Sequence, residues 1–273
     1  MATKADHYEE VASAYEAAWF YESGSKYQEW LSERVVEKLE LRSTDRLADV
    51  GCGTGNFSLA LVKRVALSNP VVCIDPSESM LEGVDDPALV PMLGTAETLL
   101  DSTAEFNKVS CVGWRIPRAP AHPPPPQVLF KEVWHHVPAD SRAAVATRIF
   151  ERMEPGGSVL IVTRPHDSSH LPLFTAAHTV WAGQQEDSDE FTPSFEAAGF
   201  EVSTVNHAGG AHARRRGKWL KMVENRFWST FSAFSDDDLA EGLAELQGRC
   251  ESPDDALVFD DILVFIVCKK PDA

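Results

Sequence analysis

The chain has 273 residues, long enough for one α/β domain with a generous core. A net charge of −17 excludes the broad basic surface that grips a phosphate backbone, so nucleic acid is not expected as a partner. Five scattered cysteines with no C-x-x-C pair suggest neither a disulfide framework nor a zinc site, and no metal is expected. No apolar run approaches the ~20 residues of a membrane span, and the first ten residues lack the apolar core of a signal peptide. The expectation is a soluble, cytoplasmic protein with no membrane partner; oligomeric state is not legible.

In chain order, residues 5–40 carry apolar side chains at helical spacing: Val11, Tyr15, Ala18 and Trp19, then, after Gly24, Trp30, Leu31, Val35 and Leu39. Residues 1–44 are expected to form an N-terminal helical lid to which Tyr15, Trp19 and Tyr21 contribute packing. Leu47–Gly51 is a short apolar run that ends in glycines at 51, 53 and 55, so a strand stops abruptly and turns into the helix beginning at Asn56. The glycines let the turn close and let a ligand lie on bare backbone, beside free N–H groups at the helix start.

Two cofactor classes compete for such a turn. A dinucleotide fingerprint needs a third glycine where Asn56 stands, and places a pyrophosphate over the helix. Asp49, just before the first glycine, would repel a pyrophosphate and suit a cation. The run Asp49-Val-Gly51-Cys-Gly53-Thr-Gly55-Asn56 resembles the first motif of class I S-adenosylmethionine-dependent methyltransferases. That resemblance implies that Gly51, Gly53, Gly55 and Asn56 border the methionine part of S-adenosylmethionine, with Asp49 helping to hold its ammonium. Val71–Asp75 is a second strand, and Asp75 falls near the spacing at which an acidic residue receives ribose hydroxyls. Ser77 is a plausible N-cap for the helix that follows. The resemblance further implies that Met80 packs near the adenine, that Pro76 borders the cofactor, and that Ala96 and Glu97 after the third strand, Leu89–Leu93, belong to the adenine segment. Thr95 stands where the family often has an acidic residue.

Val128–Trp134 reads as a fourth strand ending in His135 and His136. Asp140 is placed to cap a helix running to Met153, Ser158–Thr163 is a fifth strand ending at Arg164, and Glu190–Ala198 is a helix stopped by Gly199. Phe200–Val205 and Leu257–Cys268 are the last strands, with helices near Trp219–Phe231 and Asp236–Leu246 between them. Ser235, before three aspartates, is a good N-cap. Arg214–Arg216 is read as a solvated loop. Alternating strands and helices predict a doubly wound sheet. The resemblance implies a mostly parallel, seven-stranded Rossmann-like sheet with helices on both faces and a last antiparallel strand. The expected organisation is a cofactor-binding half over 45–165 and an acceptor-side half over 166–273, with a helical insertion at 210–250.

Residues 109–127 break this pattern. Their many prolines cannot supply ladder N–H groups. Joining Lys108 to Val128 restores one continuous strand. Val-Ser at 109–110 is codable as a splice donor, and four prolines followed by Gln127 as a pyrimidine-rich acceptor. The segment is read as a retained intron of 19 codons, against the alternative of a natural Pro-rich loop. No function is given to Cys111, Trp114 or His122.

Ligands of such sheets bind outside the carboxyl ends of the strands, where Lys131–His136 and Arg164 lie. His136, and after it His135, are the general-base candidates because histidine titrates near neutrality. Arg164 and Arg226 are candidates for pairing with an acceptor carboxylate. Neither the Asn-Pro-Pro-aromatic run nor the Pro-Cys nucleophile of base-modifying methyltransferases occurs. The expected function is methyl transfer from S-adenosylmethionine to O, N or S of a small-molecule acceptor. The alternatives are a catalytically silent methyltransferase-like binding protein and a nicotinamide-dependent oxidoreductase.

Overall fold

The computed structural model describes residues 25–97, 127–249 and 256–272. The lid residues Tyr15, Trp19 and Tyr21, and all but the last residue of the Pro-rich segment, lie outside the described residues. Helix α1 (Lys26–Leu39) starts at Ser25, whose hydroxyl accepts from Gln28 N, and buries Leu31, Val35 and Leu39 along one stripe. Strand β1 (Leu47–Val50) leads through the glycine turn into α2 (Asn56–Val65). Strand β2 (Val71–Asp75) is followed by the one-turn helix α3 (Glu78–Leu81), whose N-cap is Ser77, the hydroxyl accepting from Met80 N at 3.1 Å. Then come β3 (Leu89–Leu93), β4 (Gln127–Lys131), α4 (Ala139–Arg152) and β5 (Ser158–Thr163). The carboxyl half adds α5 (Thr175–Gln184), α6 (Thr192–Ala198), β6 (Glu201–Arg215), α7 (Arg216–Glu224), α8 (Asp236–Gly248) and β7 (Ala256–Lys269).

The seven strands form one sheet in the order β3-β2-β1-β4-β5-β7-β6. The first five run parallel, and β7 inserts antiparallel between β5 and β6. This is the doubly wound, Rossmann-like arrangement expected. Alternate residues of the central strands serve opposite faces: Leu129, Leu160 and Phe265 join one apolar cluster, while Val128, Phe130, Ile161 and Ile266 join the other. Strands covered on both faces have no polar register, which is why they read as continuous apolar runs.

Several boundaries differ from the sequence reading: the helix read as Glu190–Ala198 starts at Thr192, and the one read near Trp219–Phe231 ends at Glu224. β4 begins at Gln127 and ends at Lys131, because Glu132 adopts a left-handed φ of 59°. His135 and His136 therefore sit in a short 3₁₀ turn, Trp134–His136, rather than at the end of a strand. α4 starts one residue before Asp140, with Pro138 at the cap position and no side-chain cap; Asp140 lies in the first turn. Arg214 and Arg215 continue β6 and are not loop, since β7 pairs with them as far as Arg215↔Ala256. The helical part of the 210–250 insertion thus begins only at Arg216, and α5 is a helix the sequence reading omitted. Among the described residues, no helix is long and apolar enough to cross a membrane.

Candidate functional site

The glycine turn is fixed by backbone bonds to the neighbouring strand. Gly51 N and Cys52 N both donate to Ile74 O, at 2.7 and 3.1 Å. Gly51, at φ 76°, has no room for a side chain: a Cβ there would collide with the Val133 methyls. Gly53, at φ 56°, has open space where a Cβ would stand, and it lines the cavity. Gly55 serves packing instead, since a Cβ there would press on Leu89 and Val84 at 3.0 and 3.2 Å, and it does not line the cavity.

Asp75, at the end of β2, is held by two backbone donors. Gly53 N reaches Oδ2 at 2.8 Å and Ser77 N reaches Oδ1 at 3.0 Å. The carboxylate is 8% exposed and lines a cavity of about 370 Å³ over the carboxyl ends of the central strands. Gly51, Gly53, Asn56, Pro76, Met80, Ala96 and Glu97 line the same cavity, Met80 at 2% exposure and Ala96 at 4%. This is the position that open α/β sheets give their ligands, at the switch point between β1 and β4.

Asp49 lies below this floor, fully buried, rather than in the cavity wall. Ser58 Oγ donates to its Oδ2 at 2.5 Å, while Oδ1 has no hydrogen-bond partner among the described residues. Burial pushes its carboxyl up to about 6, against the opposing pull of the Ser58 bond and of Lys131. Lys131, at the end of β4, is buried and lines the cavity, with Nζ 5.5 Å from the Phe57 ring centroid. Its ammonium is brought down to about 8, chiefly by burial, with Asp49 acting in the other direction. Cys52, in the turn, has its thiol pushed up by a hydrogen bond with Cys73 and by burial, so it is no nucleophile.

The far wall comes from β5, α5 and the loop before α8. His135 and His136 line it with ring centroids 3.9 Å apart. Arg164 also lines the cavity, yet its guanidinium meets acidic partners of its own. Nε and Nη2 contact Asp261 Oδ1 and Oδ2 at 3.2 and 2.9 Å, and Nη1 pairs with Glu132. Nη2 also reaches Tyr27 Oη at 3.4 Å, and the guanidinium lies 5.0 Å from the Trp228 ring centroid. Burial and Asp261 raise the Tyr27 phenol far above its usual range, so it stays protonated. Trp181 and Trp228 face each other at 5.5 Å between centroids. Gln185 Nε2 is committed to Thr163 Oγ1 and Arg164 O, at 3.0 and 2.8 Å.

Arg226 is not brought to the cavity. It donates through Nη1 to Phe231 O and Phe234 O, at 2.5 and 2.8 Å, and pairs with Asp236 at 2.8 Å, tying the loop to the start of α8. Its expected role in acceptor binding is withdrawn on that ground. Sequence reading missed Glu132, Trp181, Gln185 and Asp261. Only Asp261 left a signal: an acidic residue inside the apolar run Leu257–Cys268 needs a buried partner. Among the described residues, no cluster of three or more His, Cys, Asp or Glu could hold a metal ion.

Three comparisons bear on this geometry. A family model described as a methyltransferase domain matches residues 24–245. An uncharacterised methyltransferase of Schizosaccharomyces pombe is 25% identical over 232 residues, covering 81% of this chain and 85% of that one. Among solved structures, one described as a methyltransferase of an antibiotic biosynthesis pathway from Anabaena variabilis has a TM-score of 0.64 at 17% identity, covering 88% of this chain and 96% of the other. Phosphoethanolamine N-methyltransferase 2 of Haemonchus contortus, solved with S-adenosyl-L-methionine, has a TM-score of 0.58 at 15% identity, covering all of this chain and 61% of the other. The nicotinamide alternative is thereby set aside: with its D-x-G-x-G-x-G turn, its Asp75 and its seven-stranded sheet, the chain belongs to the methyltransferase-domain family.

Proposed function

We propose that the chain transfers a methyl group to O, N or S of a small, uncharged acceptor lodged between Trp181, Trp228 and the histidine turn. The observation that carries this reading is the two-ended cavity. One end is the glycine turn with Asp75, and the other is an aromatic wall whose guanidinium is already paired. The residues present fit the cofactor: bare backbone at Gly53, a two-fold anchored carboxylate at Asp75 for ribose hydroxyls, and the buried Met80 and Ala96 for the adenine. S-adenosylmethionine supplies an activated methyl on a leaving group that needs no further help. What remains for the protein is to exclude water, hold the acceptor in line and take up a proton where the acceptor has one.

A small organic acid is no longer the favoured acceptor. Arg164 meets both Asp261 and Glu132, so an incoming carboxylate finds no uncommitted guanidinium there. A cationic amine is disfavoured too, because Arg164 already occupies a face of Trp228. His136, with His135 against it, remains our assignment for the proton acceptor. The net charge of −17 favours a small molecule over a nucleic acid.

Incubating the full chain with radiolabelled cofactor and a panel of neutral phenols, thiols and heteroaromatics tests the reading. Transfer is expected to at least one such class and not to small carboxylates. His136→Ala should lower kcat at least tenfold while leaving cofactor affinity within about twofold. Tight cofactor binding without transfer to any class would favour the silent binding protein instead.

A further inference from the structure

The geometry points to Glu132 as the residue that excludes anionic acceptors: its carboxylate holds the edge of Arg164 that an acidic acceptor would otherwise take. This rests on the reading of the aromatic wall as the acceptor end of the cavity. Among the described residues, four that are not glycine have a positive φ. Glu40 and Ala66 are the C-caps of α1 and α2, and Arg226 ties the loop before α8. Glu132 is the one of the four that lines the cavity. A left-handed conformation is costly for a residue with a side chain and persists only where the surroundings hold it. Here they hold it from two sides: Glu132 N donates to Val162 O at 2.7 Å, and the carboxylate pairs with Arg164 Nη1.

Two carboxylates divide that guanidinium between them. Asp261, at 0% exposure, takes Nε and Nη2 and does not line the cavity. Glu132 takes Nη1, lines the cavity and keeps 19% of its side chain exposed. One carboxylate balances one buried guanidinium, and Asp261 already does so. The second leaves Arg164, Glu132 and Asp261 together with one negative charge in excess. An acidic acceptor at the aromatic wall therefore meets a carboxylate where it needs a donor, in a site where like charges repel far more strongly than in water. Lys131, the other Lys or Arg that lines the cavity among the described residues, has its ammonium 5.5 Å from the ring centroid of Phe57, in the helix that follows the glycine turn. With the Glu132 charge removed, Asp261 still fixes the far edge of Arg164, and the carboxylate of an acceptor can take the place that Glu132 held.

The test is calorimetry on the full chain loaded with S-adenosylhomocysteine. The probes are 4-hydroxybenzamide and 4-hydroxybenzoate, two phenols of one shape that differ by a single negative charge. The parent chain should bind the amide about tenfold more tightly, or better. Glu132→Gln removes the charge and little of the volume. It should bind the benzoate about tenfold more tightly than the parent does, and so lose the preference for the amide. Glu132→Gly suits the positive φ and deletes the side chain, and it should lose the preference as well. Variants that still prefer the amide by the parent's factor overturn the proposal, as does a parent chain that binds both probes equally. If the parent and both variants bind neither probe, the small-acceptor reading of the wall itself fails, which is a different result. Should Glu132→Gln not fold, Glu132→Gly and the two-probe comparison on the parent chain still decide the matter.

Discussion

Asp49 is fully buried, with one oxygen bonded to Ser58 and the other without a hydrogen-bond partner among the described residues. An unfolded aspartate releases its proton near 3.9. In the fold, burial delays that release to about 6. Between those values the native chain holds a proton the unfolded chain has lost, so stability falls as pH rises through the window. The penalty is complete above pH ~6 and absent below ~4, and is on the order of 1–3 kcal/mol. Asp49→Asn keeps an acceptor for Ser58 and removes the charge. We expect it to stabilise the ligand-free chain at pH 7.5 by that order, to have little effect at pH 4, and to weaken S-adenosylmethionine binding. Urea melts at the two pH values check the first two expectations, and an equal gain at both would discard the buried-charge account. Asp75 behaves differently, because its oxygens hold Gly53 N and Ser77 N as well as facing the cavity. Asp75→Ala should cost about 1–3 kcal/mol of cofactor affinity through lost charge-assisted bonds. Calorimetry would show it, and unchanged affinity would mean that the ribose lies elsewhere.

Element by element, legibility followed how local the cause was. The glycine turn, the Ser77 and Ser235 caps and the Gly199 stop were readable because each is set by a few adjacent residues. β4 was read too long because Glu132-Val-Trp continues its apolar pattern. The backbone instead turns at Glu132 so that Trp134 enters the core between Phe130 and Phe195, at 4.9 and 4.8 Å between centroids. The outer half of β6 was unreadable for the opposite reason: His-Ala-Gly-Gly-Ala-His has no alternation, and pairing with β7 alone makes it a strand. α5 buries only Ala177 and Trp181, too few positions to show a helical stripe. The wall opposite the glycine turn had no spacing to read, since residues 132, 164, 181 and 228 come from separate elements. One helix contact is sharp enough to predict from. A Cβ at Gly242 of α8 would meet the Phe174 ring at 2.7 Å, just before α5. Gly242→Ala should therefore destabilise the chain by about 1–3 kcal/mol through overpacking. Gly242 does not line the cavity, so cofactor affinity should stay within about twofold; a thermal melt and a titration together separate the two effects.

Across the whole molecule, the segments that follow β1, β2 and β3 line one side of the cavity, the end of β5 and the segments after it line the other, and β4 lies between them. Residues 109–127 precede that strand and end within it, at Gln127. We infer that they are absent from the working protein, as a retained intron would be. Their removal joins Lys108 to Val128, and Lys108 then takes the register position of Gln127, opposite Leu47 and Ser158. Every later pairing of β4, from Val128 to Lys131, is left as it is. The side chain given up is a slight loss, because Gln127 Oε1 has no hydrogen-bond partner among the described residues. The ladder bonds at that position are made by backbone, which any residue except proline supplies. The deleted chain should unfold at a free energy within about 1 kcal/mol of the full chain, or above it, and bind S-adenosylmethionine at least as tightly. Mature transcript should lack the 19 codons. Sequencing that finds them retained, or a deleted chain that fails to fold, would return residues 109–127 to the alternative of a natural proline-rich loop feeding the central strand.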